Sequence, residues 1–336
     1  MLRASATSLP PAFAAHALQL LQKVQSGLSA VEIVYASHER WPCPPGYAAS
    51  PHPPLHVSIL DSSFNPPTLA HLALAKSRPP QHPTSPLPYT DSTTDYDARL
   101  LLLSIRNADK SLKPGDATYV QRLEMMHLLA QSVFSRDGAI MKDAADESLG
   151  DAIHLRGNIA LAIIDQPTFV GKSTILLRFL QTRLSVLDGS SSEAANTFRV
   201  TDNVSPPKLT FILGFDTLVR LFSPKYYPSE EDMIRLLRAF LSPSAEDCRV
   251  VCARRTSAGV DPFTQAERDA RTLDTAREFL SNGRIALIDI GADEQTYSSS
   301  EVRKKVATRD TSWKGLVTRE MADYIIENNL YISEGT

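Results

Sequence analysis

The sequence lacks a cysteine framework. Its 336 residues include three cysteines, Cys43, Cys248 and Cys252, an odd count with no C-x-x-C pair. A disulfide scaffold or a cysteine zinc site is therefore not expected, and a reducing compartment fits the composition better. Long apolar runs are also missing. None approaches the roughly 20 residues a membrane span needs, so no membrane partner is expected. Charge of one sign is lacking too: 35 basic residues face 38 acidic ones, for a net charge of −3. That leaves no field to hold a nucleic acid along its length, although a local basic pocket for a small phosphate ligand remains allowed. No internal repeat is visible. What is present is apolar content of 43% against 22% charged, enough for a sizeable core in one large α/β domain or two smaller ones.

The first acidic residue is Glu32, after Arg3 and Lys23, and Ala14, Leu18, Leu21 and Val24 fall near helical spacing. A mitochondrial transit peptide has this character, but arginine is sparse. The reading adopted is an amphipathic helix that packs on the domain, in a cytoplasmic or nuclear protein. Residues 1–54 are read as this helix and an extended lead-in, and 55–336 as a single domain. Loop insertions are expected near 79–97, rich in Pro, Ser and Thr; near 137–151, acidic and small; and near 187–207, rich in Ser, Asn and Asp.

Between these loops, apolar runs alternate with helical patterns. Strands are predicted at Leu55–Leu60, Arg99–Ile105, Ile159–Asp165, Leu209–Leu213, Arg249–Ala253 and Arg284–Ile290. The helices that follow them are predicted at Leu69–Ser77, Val120–Phe134, Ser173–Leu184, from Asp216, at Thr264–Leu280, and at Ser299–Ala307 with Thr318–Asn328. Such alternation implies right-handed crossovers and a Rossmann-like, doubly wound parallel sheet with helices on both faces. Sheets of that kind bind ligands outside the carboxyl ends of their strands, where the strand order reverses.

The most informative stretch is Leu60-Asp61-Ser62-Ser63-Phe64-Asn65-Pro66-Pro67-Thr68-Leu69-Ala70-His71, directly after the first predicted strand. The two prolines end the strand and pre-set φ for a helix start. Thr68 can cap that helix, with His71 one turn in on the same side. A hydroxyl and an imidazole then flank a helix N-terminus, where unpaired amides and the positive dipole end suit a phosphate group. A second stretch, Tyr297-Ser298-Ser299-Ser300-Glu301-Val302-Arg303, follows the last predicted strand, about 230 residues further on. Ser298 and Glu301 have capping-box spacing. Ser299, Ser300 and Arg303 go beyond what a cap requires and offer hydroxyls and a guanidinium to phosphate oxygens.

The first stretch resembles the G-S-F-N-P-P-T-x-x-H motif of nicotinamide mononucleotide adenylyltransferases, within the HxGH-type nucleotidyltransferase superfamily. The second resembles their I-S-S-T-x-I-R motif. Leu209 to Asp216 resembles the strand ending in G-x-D, Lys113 through Arg122 to Met125 the K-x-x-L…R-x-x-M stretch, and Val250 to Arg254 the late strand beside adenine. The similarity runs from about Leu55 to Tyr331 and is nearest to a divergent fungal-type branch that carries D-S-S-F. It implies adenylyl transfer from ATP to nicotinamide or nicotinate mononucleotide, with Mg²⁺ entering with ATP. It implies His71 and Arg303 as catalytic residues. It also implies nucleotide binding by Ser62, Ser63, Phe64, Thr68, His71, Gly214, Asp216, Ser299, Ser300 and Arg303. Lys113, Phe169 and Lys172 are candidates for the mononucleotide side, and no protein metal site is expected.

Two departures bear on substrate and rate. The family's glycine before S-F is Ser62, whose side chain can crowd or re-aim the nucleotide. The family's tryptophan for stacking on nicotinamide has no counterpart in the middle region, where Phe169 is the substitute; the two tryptophans are Trp41 and Trp313. Gly171-Lys172-Ser173-Thr174 invites a P-loop reading, but Gln166 stands where the first glycine is needed, and Pro167 and Phe169 spoil the amide cradle. His52 and His56 have zinc spacing only on a helix that Pro51, Pro53 and Pro54 rule out. His127 reads as a helix-face residue. Three other functions stay open: a cytidylyltransferase acting on a phospho-alcohol, a non-catalytic nucleotide-binding protein, and an ATP hydrolase using Lys172.

Overall fold

The structure is a computed structural model. It describes residues 11–44, 47, 53–80, 95–106, 115–134, 157–188, 205–254 and 262–332. Most of the expected insertions, namely 81–94, 137–151 and 189–204, lie outside the described residues, as do Lys113 and His52.

The elements are, in chain order, α1 (Pro11–Gln25), β1 (Val31–Ala36), β2 (His56–Asp61), α2 (Leu69–Lys76), β3 (Ala98–Ser104), α3 (Tyr119–Phe134), β4 (Ile159–Ile164) and α4 (Phe169–Leu187). They continue with β5 (Lys208–Gly214), α5 (Phe215–Leu221), α6 (Glu230–Leu241), β6 (Arg249–Ala253), α7 (Pro262–Thr275), α8 (Arg277–Ser281), β7 (Ile285–Ile288), α9 (Ser299–Ala307) and α10 (Arg319–Glu327). One seven-stranded sheet has the order β1-β4-β3-β2-β5-β6-β7. Six strands run parallel, and only β1 is antiparallel, against β4. The parallel strands therefore follow the doubly wound order third-second-first-fourth-fifth-sixth, and the order reverses between β2 and β5.

Burial on both faces explains the composition of the central strands. Every residue of Ile159–Ile164 is buried, as are the first six of Ala98–Ser104. One face packs Val57, Ile59, Leu176, Phe211, Leu237 and Phe240 against α4 and α6. The other packs Leu60, Leu101, Leu123, Ile163 and Ile212 against α1 and α3. A third cluster joins Met125 and Leu128 of α3 to Val302, Trp313, Met321 and Ile325, which ties the C-terminal helices to the body.

Four details correct the sequence reading. The lead-in contains β1, a strand of the sheet itself, with an irregular register between Ile33 and Tyr35. The helix before it turns Ala17, Leu20, Leu21 and Val24 inward and leaves Leu18 exposed at 45%. The amphipathic helix Glu230–Leu241 was not anticipated. The helix expected over Thr264–Leu280 is broken at Ala276 into α7 and α8. All three cysteines are buried and unbridged. Among the described residues no helix is long and apolar enough to cross a membrane.

The His127 ring meets those of Phe13 and Tyr35, at centroid distances of 5.2 and 4.5 Å, and burial lowers its pKa from the ordinary 6.5. The folded protein therefore keeps this ring neutral at pH values where the unfolded chain protonates it. Its contribution to stability is present above pH 6.5 and is lost as pH falls through the lowered folded value. The urea midpoint should drop as pH goes from about 7 to about 5, and more weakly in His127→Leu. An equal slope in both proteins would remove His127 from the acid response.

Candidate functional site

A cavity of about 290 Å³ opens at the switch point. Its floor is the carboxyl end of the sheet: Leu60 and Asp61 of β2, Ser104 of β3, Leu213 and Gly214 of β5, and Ala253 of β6. The two motif stretches meet over this floor. The Ser299 hydroxyl donates to the Pro66 carbonyl at 2.7 Å, and Arg303 Nη1 donates to the Asn65 carbonyl at 2.5 Å. The cavity wall includes Ser62, Ser63, His71, Ser299, Ser300 and Arg303 on this side.

Local geometry fixes the imidazole. Thr68 is the N-cap of α2, as its position after two prolines predicts. Its backbone N–H donates to His71 Nδ1 at 3.1 Å, and its hydroxyl lies 3.0 Å from the same nitrogen. A peptide N–H can only donate, so Nδ1 is an acceptor and the proton of the neutral ring sits on Nε2. That Nε2–H faces Ser62 Oγ at 2.9 Å. The Ser62 hydroxyl therefore holds the one N–H of the His71 ring. Phe64 and Thr68, expected to touch nucleotide, are 0% and 2% exposed and are absent from the cavity wall. Phe64, at φ 45°, packs its ring against His71 at 5.7 Å, so both residues back the imidazole from behind.

Behind the guanidinium lies a buried polar network. The side chain of Asn65, 4% exposed, donates through Nδ2 to Asp116 at 2.8 Å. Its Oδ1 accepts from Ala117 N at 3.3 Å and from the Tyr331 hydroxyl at 2.9 Å. Asp116 in turn lies 3.6 Å from Arg303 Nε and 3.7 Å from Arg122 Nη2. Burial lowers the Arg122 pKa, and the Asp116 carboxylate opposes that shift. Arg303 is thus aimed by Asn65 and Asp116, from two distant stretches of chain that the network ties together.

Gly214 caps α5, and a Cβ built on it would meet no atom within 4 Å. The protein's own packing does not demand glycine there, so the open space belongs to the cavity. Asp216 lines the same wall. Gly171 to Thr174 lie inside α4, whose cap is Thr168, so no phosphate-cradling loop forms there. Lys172, 4% exposed, is ion-paired with Asp61, and its Nζ lies 5.0 Å from the Phe169 ring centroid. Phe169 divides its surface between the cavity and the core ring of Phe211.

Several wall residues were not among the site candidates from sequence: Arg106, Arg220, Tyr226 and Tyr227, together with Asp61 and Arg254, which stand in stretches quoted only for their resemblance. Tyr226 and Tyr227 supply aromatic surface to the wall after α5, in addition to Phe169. Burial pushes the Tyr227 hydroxyl up to about 12, and it donates to the Leu221 carbonyl at 2.8 Å.

A doubly wound sheet, with hydroxyls, an imidazole N–H and guanidinium groups around a cavity at its switch point, places the protein in the class of open α/β sheets whose ligands bind at that point. No family model matches the chain. A Schizosaccharomyces pombe protein named "Putative nicotinamide mononucleotide adenylyltransferase" is 28% identical over 211 residues, 63% of this chain. The match spans 58% of that relative's length. Two solved structures of Plasmodium falciparum nicotinic acid mononucleotide adenylyltransferase, complexed with APC and with NaAD, align with a TM-score of 0.40 each. Their identities are 15% and 16%, over 82% of this chain and 97% of theirs. The chain is thus similar in sequence to a protein named for nucleotidyl transfer.

Proposed function

We propose that the protein transfers the adenylyl group of ATP to nicotinamide or nicotinate mononucleotide. The observation that carries this reading is the convergence of His71, Ser299, Ser300 and Arg303 on one cavity wall, joined through Pro66 and Asn65. A phosphate oxygen of the mononucleotide attacks the α-phosphorus of ATP. A new P–O bond forms, the bond from the α-phosphorus to the bridging oxygen breaks, and pyrophosphate leaves with both electrons. The substrate supplies the nucleophile, so the protein's part is alignment and neutralisation of growing charge. His71 Nε2–H donates to the α-phosphate, and Arg303 with Ser299 and Ser300 holds the departing pyrophosphate. Gly214 and Asp216 hold adenosine.

No group of three or more His, Cys, Asp or Glu side chains able to hold a metal ion occurs among the described residues. Mg²⁺ would enter with ATP and would supply charge neutralisation at its phosphates. The experiment that tests the reading is pyrophosphate release from ATP with either mononucleotide, the dinucleotide being identified by mass. CTP with phospho-alcohols serves as the contrasting arm. Release only in that arm would replace adenylyl by cytidylyl transfer.

One observation favours a second reading, a protein that binds nucleotide without turnover: the Ser62 hydroxyl occupies the His71 donor. If that bond only slows catalysis, Ser62→Gly should raise turnover about threefold to tenfold, the worth of one neutral hydrogen bond. ATP binding without pyrophosphate release from either protein would establish the non-catalytic reading instead.

A further inference from the structure

We propose that the buried Asp61–Lys172 pair makes this site prefer a pyridine mononucleotide bearing a carboxamide over one bearing a carboxylate. The proposal rests on the adenylyl-transfer reading above. Asp61 ends β2 and Lys172 lies in the first turn of α4; their side chains are 9% and 5% exposed, and both line the cavity. The Phe169 ring centroid lies 5.0 Å from Lys172 Nζ and gives the cavity an aromatic lobe at the pair; Tyr226 and Tyr227 line the same cavity. A flat heteroaromatic base fits such a lobe, which places its substituent against the pair.

The pair presents a donor and an acceptor side by side. Lys172 Nζ donates to Asp61 Oδ2, which leaves the ammonium two further hydrogens. Asp61 Oδ1 accepts no hydrogen bond among the described residues. A primary carboxamide offers an N–H to that oxygen and a carbonyl to the ammonium. A carboxylate offers two acceptors and no hydrogen, so it brings a second negative charge beside Asp61. One of its oxygens could take a free Lys172 hydrogen, but the other would face Asp61 Oδ1 with no hydrogen between them, so two buried negative charges would share one ammonium. Discrimination then comes from repulsion of the wrong substituent as much as from attraction of the right one. Had Lys172 stood alone, the same lobe would have favoured the acid.

The test compares nicotinamide mononucleotide with nicotinate mononucleotide on the full chain, by kcat/KM for pyrophosphate release and by calorimetric binding. The expected wild-type preference for the amide is at least about tenfold, and Asp61→Asn should move the ratio towards the acid by at least about tenfold. A ratio cancels losses of overall activity, so a merely structural pair would leave it unmoved. Equal use of both substrates by the wild type overturns the proposal even if Asp61→Asn fails to fold. An unchanged ratio in a folded Asp61→Asn protein overturns it as well. Failure of both mononucleotides to bind or to release pyrophosphate sinks the adenylyl-transfer reading, and this inference with it. Release with both at equal efficiency sinks this inference alone.

Discussion

His71→Ala should lower pyrophosphate release by at least about 100-fold, the usual cost of removing one donor aimed at developing charge. The expectation follows from the direction of the ring. Thr68 N–H fixes Nδ1 as an acceptor, so Nε2 carries the proton on the Ser62 side, where the cavity wall lies. The fold should survive, because the substitution removes a single acceptor at the start of α2, worth about 1 kcal/mol. Steady-state turnover and a urea melt on the same preparation separate the two effects. Unchanged turnover would take His71 out of the mechanism.

Asn65→Ala should have the largest effect on stability of the substitutions considered, about 3 kcal/mol, read as a lower urea midpoint. Its side chain satisfies Ala117 N–H, the Tyr331 hydroxyl and Asp116 in a buried setting, and alanine takes one hydrogen bond from each of the three. Asn65→Asp is sharper in one respect. It keeps the shape but replaces the N–H donor 2.8 Å from Asp116 with a second acidic oxygen. Because Asp116 and the Asn65 carbonyl also hold Arg303, KM for ATP should rise in any variant that folds. A wild-type midpoint in Asn65→Ala would show that the network is dispensable.

The core of the fold and the two turns that carry His71 and Arg303 were legible because their signals are local. Proline at 66 and 67 dictates where β2 ends, Thr68 then caps α2, and Ser298 accepts from Glu301 N at 3.1 Å as its spacing predicts. The fully apolar runs of β3 and β4 leave little alternative to buried strands. What escaped depends on partners far along the chain. β1 is an edge strand holding Glu32, and only pairing with β4 makes it part of the sheet. Lys172 and Asp61 are 111 residues apart, and nothing near either one announces the other. Tyr226 and Tyr227 sit at a short 3₁₀ turn, so their place in the wall is set by how that turn packs and not by a periodic pattern. Helix α6 is a different case. Ser229 followed by Glu230, Glu231 and Asp232, with Met233, Leu237, Phe240 and Leu241 on one face, is a readable signal that was passed over.

The rival placement of ATP at Gly171–Lys172 would put its phosphates at the start of α4 instead of between the two motif turns. A crystal structure of the protein soaked with a non-hydrolysable ATP analogue distinguishes the two. The α-phosphate is expected within hydrogen-bond reach of His71 Nε2, and the terminal phosphates against Ser299, Ser300 and Arg303. Phosphates found at the α4 start, or anywhere that leaves His71 and Arg303 on separate sides of an empty cleft, would contradict it.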